Sequence, residues 1–433
     1  MFLISLLVNC FLFHVAADQL ANTSANLSTL VHLQIICRHG DRNPWILLPD
    51  DPNNGPETWP EGLGELTRLG IEQGFHLGQL IRRRYTSFLP VGYGANDFYM
   101  RSSDRNRTLM SAQVILAGMF PRLGMNYTDQ INPIPVHSTP FEQDAGNIEF
   151  LSKLICVQIL NDHPECPAAD EEERAVYASP KYKEMEQKFE NLLGLMGKES
   201  GFNKIPLPFR DVWLVYDSLF EVFVHSDTHK LPAWVDKAIL WQISQAYELS
   251  SYGIYDSQKL KRLRAGPIVK DVLERAQQKI DGNLPDQKMY AYSGHDTSIA
   301  SFLVGLGIKF PVFPLHSTAL MIELHKDPRD ETYVLRIFYR NDTKNDDIYE
   351  LDIPNCEQPC KFESISQQLQ ATLIPNNWLA ECNLIPNDAD AFPYLLFIFI
   401  LVCIAVILAF AIVCLQFYQI NNSVSFPKNP SNA

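Results

Sequence analysis

The chain reads as an α/β protein, a sandwich of sheet and helices interrupted by a helical subdomain, with one transmembrane helix near its C-terminus. Three observations predict this. At both ends of the 433-residue chain, short β-branched apolar runs alternate with amphipathic helical stretches, the pattern of an α/β layer fold. From Gly146 to about Pro285 helical periodicity dominates instead, with charged stretches such as Asp170 to Arg174. Tyr394–Leu415 is 22 residues without charge, Pro or Gly. As a helix it would extend about 33 Å, enough to cross a bilayer core.

Each element follows from its own pattern. Val31–Cys37 is β-branched and apolar and predicts a buried strand. Asn43–Gly62 is rich in Pro, Gly, Asn and Asp and predicts a long loop. Leu63, Leu66, Leu69, Gly70, Phe75, Leu77, Leu80 and Ile81 predict an amphipathic helix ending in the basic run Arg82-Arg83-Arg84. Phe98–Met100 is a short strand, Thr108–Phe120 a helix, and Ile134–His137 is strand-like. After the helical subdomain come a strand at Lys288–Ser293, a helix from Asp296, and alternating strands at Ala319–Leu324 and Tyr333–Tyr339.

The two ends are expected to be targeting segments. Residues 1–17 are mostly apolar, carry no Asp, Glu, Lys or Arg, and close on Val15-Ala16-Ala17, as a cleaved signal peptide does. The polar stretch after Leu415 argues against a glycolipid-anchor signal. The expected organisation is a signal at 1–17, an ectodomain at 18–390 with a helical subdomain at about 146–285, a membrane span at 394–415 and a short cytoplasmic tail at 416–433. That makes the chain a single-pass type I membrane protein facing the outside or a lysosomal or endosomal lumen.

The formal net charge is −14, and setting aside the cytosolic Lys428 leaves −15 on the exposed part. Such a balance argues against nucleic acid as a partner. An anionic substrate must then be held by a local cluster of Arg. Cys37 closes an apolar run and is expected to be a reduced core residue, whereas the cysteines as a set suit an oxidising compartment. Asn22, Asn26, Asn106, Asn126 and Asn341 head N-x-S/T sequons. Of these, Asn22, Asn26, Asn126 and Asn341 are the glycosylation candidates; Asn106 is excluded because its neighbour Arg107 is needed elsewhere.

Three constellations carry chemistry. Arg38-His39-Gly40-Asp41-Arg42-Asn43-Pro44 follows the first strand directly, and ligand sites in open α/β sheets lie beyond the C-terminal ends of strands. A His there can act as a nucleophile, two Arg can fork onto phosphate oxygens, and Gly40 lets the backbone come close. Ser293-Gly294-His295-Asp296-Thr297 follows another strand. His295 is placed to donate to a phosphate oxygen, and Asp296 suits both a helix N-cap and a general acid. Arg107 opens a helix, where it can face an anion beside the N-terminus. No clustered Cys/His/Asp ligand set of familiar spacing accompanies them, so no metal is expected.

Taken with Leu66-Thr67-x-x-Gly70-x-x-Gln73, Arg107-Thr108-Leu109-Met110-Ser111-Ala112, Pro133-Ile134-Pro135-Val136-His137, Tyr252-Gly253-Ile254 and Tyr339-Arg340-Asn341, these motifs resemble the histidine acid phosphatases, close to the lysosomal and prostatic branch. The resemblance runs from about Leu33 to Asn383. It implies a phosphoglycerate-mutase-like α/β sandwich core with a helical subdomain. It implies His39 as nucleophile, Asp296 as proton donor, and Arg38, Arg42, Arg107 and His295 as phosphate ligands, with no organic cofactor. It implies phosphate monoesters as substrates, small molecules first and phosphoproteins or phospholipids beyond them, and a homodimer. It also suggests disulfides Cys356–Cys360 and Cys166–Cys382, with Cys156 left over. A third family bridge lacks its cysteines, near Phe220 and Ser317. A phytase-like inositol-polyphosphate phosphatase shares the Arg-His-Gly-x-Arg-x-Pro start, but the overall likeness favours the acid phosphatase branch. A catalytically silent ectodomain would be free to lose members of the set that this chain keeps intact.

Overall fold

The computed structural model describes residues 26–49, 51–53, 55, 57–120, 133–138, 159–160, 165–310, 312–343, 345–385 and parts of 401–415. Residues Met1–Trp378 form one compact unit and Leu379–Ala433 a second. In the first unit six strands make one mixed sheet: β1 (Leu30–Arg38), β2 (Phe98–Ser102), β3 (Met289–Gly294), β4 (Ala319–Lys326), β5 (Tyr333–Arg340) and β6 (Tyr349–Leu351), in the order β2-β3-β1-β4-β5-β6. Strands β2, β3 and β1 are parallel, and β4 runs antiparallel to β1. The three parallel strands end together, since Arg38 is opposite Gly294 and Ser102 is opposite Ser293.

The sheet is covered on both faces, which is why β1 reads as a continuous apolar run rather than an alternating one. Leu33, Ile35 and Cys37 pack with Leu77, Leu80 and Ile81 of α1 (Arg68–Arg84) and Ala112, Ile115 and Leu116 of α2 (Asn106–Met119). On the other face Ile36 joins α8 (Gly266–Ile280), α9 (Asp296–Gly305) and α10 (Phe362–Thr372) through Val269, Val272, Phe302, Leu303 and Ile365. A separate core joins helices α3 (Pro167–Tyr177) to α7 (Lys237–Ser251) of the expected helical subdomain, with Leu193, Val215, Leu219 and Ile243 fully buried or nearly so. Helices α4 (Pro180–Lys188), α5 (Glu190–Glu199) and α6 (Val212–Val224) lie between them in the chain. The loop residue Leu48, just past the Arg-His-Gly motif, is part of this second core.

Several boundaries differ from expectation. Helix α1 starts at Arg68 because Thr67 caps it, its hydroxyl accepting from the Gly70 amide. Leu63 and Leu66 lie before the cap, where Leu66 bridges Arg42. Of the basic run, Arg84 is not a surface charge: its guanidinium, the Tyr85 hydroxyl and His325 all surround the buried Glu323. At the strand-like 134–137 stretch the only pairing among the described residues is a bridge from His137 to Arg101.

In the second unit, residues 401–404, 406–408, 412–413 and 415 are helical, with exposed apolar side chains such as Val406, Ile407 and Leu415. Among the described residues no helix is long and apolar enough to cross a membrane. Much of the expected span at 394–415 lies outside them, as do the signal, the tail, Asn22, Asn126 and Cys156. Cys356 and Cys360 are disulfide-bonded, Cys166 and Cys382 are each oxidised in a disulfide, and Cys37 is a free, buried thiol pushed up to about 12 by desolvation.

Candidate active site

The site begins with the backbone. Past the end of β1 the His39 amide donates to the Gly294 carbonyl on β3 (3.0 Å), and the His39 carbonyl accepts from Ser317 ahead of β4 (3.0 Å). His39 is thus pinned where the parallel half of the sheet meets the antiparallel half. The next residues are held by α1 and α2. The Gly40 amide donates to the Ser111 hydroxyl, Asp41 N donates to Gln73 Oε1, and Thr67 N donates to the Asp41 carbonyl. Backbone meets backbone here. A Cβ on Gly40 would stand 2.3 Å from the Gly70 carbonyl oxygen, and one on Gly70 would stand 2.1 Å from the Asp41 carbonyl oxygen. Neither position admits a side chain unless the loop or the helix moves.

His39 Nδ1 lies 2.8 Å from the Gly40 carbonyl oxygen. A carbonyl only accepts, so Nδ1 carries the proton and Nε2 keeps its lone pair. Burial, reinforced by Arg107, Arg38, His295 and Arg42, holds the imidazole well below its ordinary pKa. The neutral form of the ring is therefore favoured.

Three guanidiniums surround it. Arg38 places Nη2 3.0 Å from Asp296 Oδ2 and donates from Nη1 to the Pro314 carbonyl. Arg42 pairs with Asp217 of α6, whose other oxygen accepts from the Trp45 amide. Burial opposes ionisation of Asp217, but Arg42 and these hydrogen bonds keep its carboxyl below the usual range. Arg107, in the first turn of α2, reaches to 3.4 Å from His295 Nδ1 and lies beneath the Trp45 ring, 5.0 Å from its centroid. His295 Nε2 meets the Ser103 hydroxyl at 3.0 Å, and its ring stands edge-on to His39 with centroids 5.6 Å apart. All six residues singled out in the sequence meet here.

Asp296 differs from expectation in one respect. The N-cap of α9 is His295, and Asp296 is the first helical residue. Its Oδ1 accepts from the Thr297 amide and its side chain keeps 22 % exposure, so one oxygen is tied to Arg38 beside solvent.

Sequence reasoning missed the rear of the site. Asp217, Glu221 and His225 recur at every fourth position along the apolar α6, and that polar stripe was a visible signal. Glu221 lies 3.7 Å from Arg42 and 3.3 Å from His316, and His225 donates to Asp41 at 2.8 Å. Asp41, Glu221 and His316 form a group whose metal-competent atoms all lie within 4.8 Å of one another.

The model of the histidine phosphatase superfamily (branch 2) matches residues 48–340. The chain belongs to that superfamily. Human prostatic acid phosphatase is 32 % identical over 361 residues, 82 % of this chain and 88 % of that one. Rat lysosomal acid phosphatase is 29 % identical over 371 residues, 84 % and 82 % of the two chains. Among solved structures, the apo phytase of Hafnia alvei superposes with a TM-score of 0.62 over 83 % of this chain and 99 % of that one. At 16 % identity that likeness speaks for the fold alone, an α/β histidine-phosphatase fold.

Proposed function

We propose that this branch-2 histidine phosphatase is an acid phosphatase that hydrolyses phosphate monoesters through a phosphohistidine on His39, with Asp296 as proton donor. The observation that carries the reading is the tautomer: Nδ1 is bonded to the Gly40 carbonyl, so a neutral Nε2 is offered among Arg38, Arg42 and Arg107.

In the first step Nε2 attacks phosphorus, the P–O bond to the alcohol breaks, and Asp296 gives its proton to the departing oxygen. In the second, water attacks the phosphohistidine, its proton passes to Asp296, and inorganic phosphate leaves with Nε2 restored. Arg38, Arg42, Arg107 and His295 hold the phosphoryl oxygens. Asp296 must carry a proton in the first step and be free of it before the second. The scheme calls on no metal or organic cofactor.

The same reading assigns residues 1–17 to a signal peptide, 18–390 to a lumenal or extracellular domain with its helical subdomain at about 146–285, 394–415 to a membrane helix and 416–433 to a cytoplasmic tail. It pairs Cys166 with Cys382, places glycans on Asn22, Asn26, Asn126 and Asn341, and makes the enzyme a homodimer. Asn106 stays bare: its side-chain amide donates to Glu65 at 3.0 Å, beside Arg107.

The test is rapid quenching of the turning-over enzyme under conditions that preserve phosphohistidine. Label on His39, with activity that survives EDTA and is inhibited by vanadate, is the expected result. Label on a Ser or Asp, or activity lost to EDTA and restored by a divalent ion, overturns it.

A further inference from the structure

Beside His39, whose ring centroid lies 5.7 Å from that of His316, three buried groups are left with unused bonding capacity. Asp41, Glu221 and His316 are 0 %, 1 % and 6 % exposed. Among the described residues, Asp41 Oδ1, Glu221 Oε2 and His316 Nε2 find no hydrogen-bond partner. Buried polar atoms rarely stay so, because each costs about 1–3 kcal/mol unsatisfied. Their donor set, one imidazole and two carboxylates, is that of many zinc-class sites.

We propose that Asp41, Glu221 and His316 form a binding site for a divalent transition cation of the zinc class, and that its occupancy inhibits the enzyme. The spacing supports it. His316 Nε2 and Glu221 Oε1 are 3.3 Å apart. Metal–ligand bonds of 2.0–2.2 Å in a tetrahedron put neighbouring ligands about 3.3–3.5 Å apart. With one ligand atom taken from each of Asp41, Glu221 and His316, all three lie within 4.8 Å of one another. Asp41 is also oriented from outside, as metal-binding carboxylates are: its other oxygen accepts from His225 and from the Thr67 hydroxyl, which leaves Oδ1 for the cation.

The charge balance permits a cation despite the nearby arginines. Four carboxylates (Asp41, Asp217, Glu221 and Asp296) act on the space around two guanidiniums, Arg38 and Arg42. A cation bound at Glu221 brings positive charge next to Arg42, 3.7 Å away. Arg42 is then repelled from the substrate position, so inhibition raises KM more than it lowers kcat.

The binding half of the inference is independent of the phosphohistidine reading, whereas the inhibition half rests on it. The test is titration of the full chain with Zn²⁺, followed by equilibrium dialysis, thermal shift, and kcat and KM on an aryl phosphate. The expected result is one tight Zn²⁺ per chain, a raised Tm, and KM up at least about tenfold, all reversed by EDTA. Both the extra Zn²⁺ and the KM shift should be lost in Glu221→Gln and in His316→Gln, each compared with its own metal-free state. If one of these variants fails to fold, the other decides. A stoichiometry and KM shift unchanged in a folded variant overturn the site, as does a wild type that binds no Zn²⁺. Binding without any change in KM overturns the inhibitory role.

Discussion

The two sides of the anion slot are built in different ways. The floor, with His39, Arg38, His295 and Asp296, hangs from the ends of neighbouring parallel strands, and main-chain hydrogen bonds from Gly294 and Ser317 fix it. The rear wall, with Asp217 and Glu221 of α6 and His225 at its C-cap, meets Arg42 across 175 residues of chain through side-chain charges. The difference teaches that position and electrical tuning have separate sources. Sheet register places the reacting atoms, and a distant helix balances the charge that substrate binding needs. Damage to the floor should therefore stop chemistry in a folded protein, whereas damage to the wall should cost stability and affinity first.

The largest expected effect is at the floor. His39→Ala should lower turnover by on the order of 10⁴- to 10⁶-fold, the scale seen when a nucleophile is removed, with an unchanged thermal unfolding profile. A protein that unfolds instead would erase the distinction between the two sides. Asp296→Ala should cost about 10²- to 10⁴-fold on alkyl phosphates and far less on aryl phosphates with acidic phenols. A Brønsted plot of rate against leaving-group pKa measures this, and parallel slopes for wild type and variant would remove Asp296 from the acid role.

At the wall, Asp217→Ala leaves Arg42 with only the more distant Glu221. It should destabilise the fold by roughly 3 kcal/mol, as the loss of one partner from a buried pair does, and raise KM more than it lowers kcat. Urea titration with steady-state kinetics tests it, and a pure kcat defect would make the wall catalytic. Gly70→Ala sits at the junction and should cost about 1–3 kcal/mol through overpacking, with a loss of kcat because the helix presses on the loop that carries His39. Full activity in a destabilised variant would show that loop and helix move independently.

The smallest effect concerns pH and a residue outside both sides. Burial holds His32 down at about 4. The unfolded chain takes up that proton below about 6.5, while the folded chain refuses it until about 4, so stability falls as pH drops through this window. The slope is about 1.4 kcal/mol per pH unit for each such histidine. His39 and His316 act in the same direction. Urea midpoints between pH 7 and 4.5 should fall less steeply in His32→Gln than in wild type; equal slopes would refute the assignment.

Much of the floor was legible because its residues are contiguous. Arg38-His39-Gly40-Asp41-Arg42 and His295-Asp296 each follow a strand whose apolar run marks it. The strand pairings that join the two motifs follow from burial of both sheet faces. The wall was not legible to the same degree. Asp217, Glu221 and His225 form a stripe at helical spacing, but nothing in one sequence says which distant arginine the stripe faces. His316 was harder still, being a single residue in a Pro-rich loop whose partners lie on β1's loop and α6. The cap of α9 was misplaced by one residue because Asp is the commoner cap, whereas here His295 takes that position and its amide donates to Ser298.

The glycine contact between positions 40 and 70 has a practical consequence for anyone who wishes to move this chemistry elsewhere. The loop and the helix start are complementary surfaces, each shaped by the absence of a side chain on the other. A graft of Arg38 to Pro44 onto a foreign sheet would arrive without the concavity that receives it. The transferable unit is the loop together with Thr67 to Gln73, two segments separated by 22 residues that evolution and engineering alike have to copy as one piece.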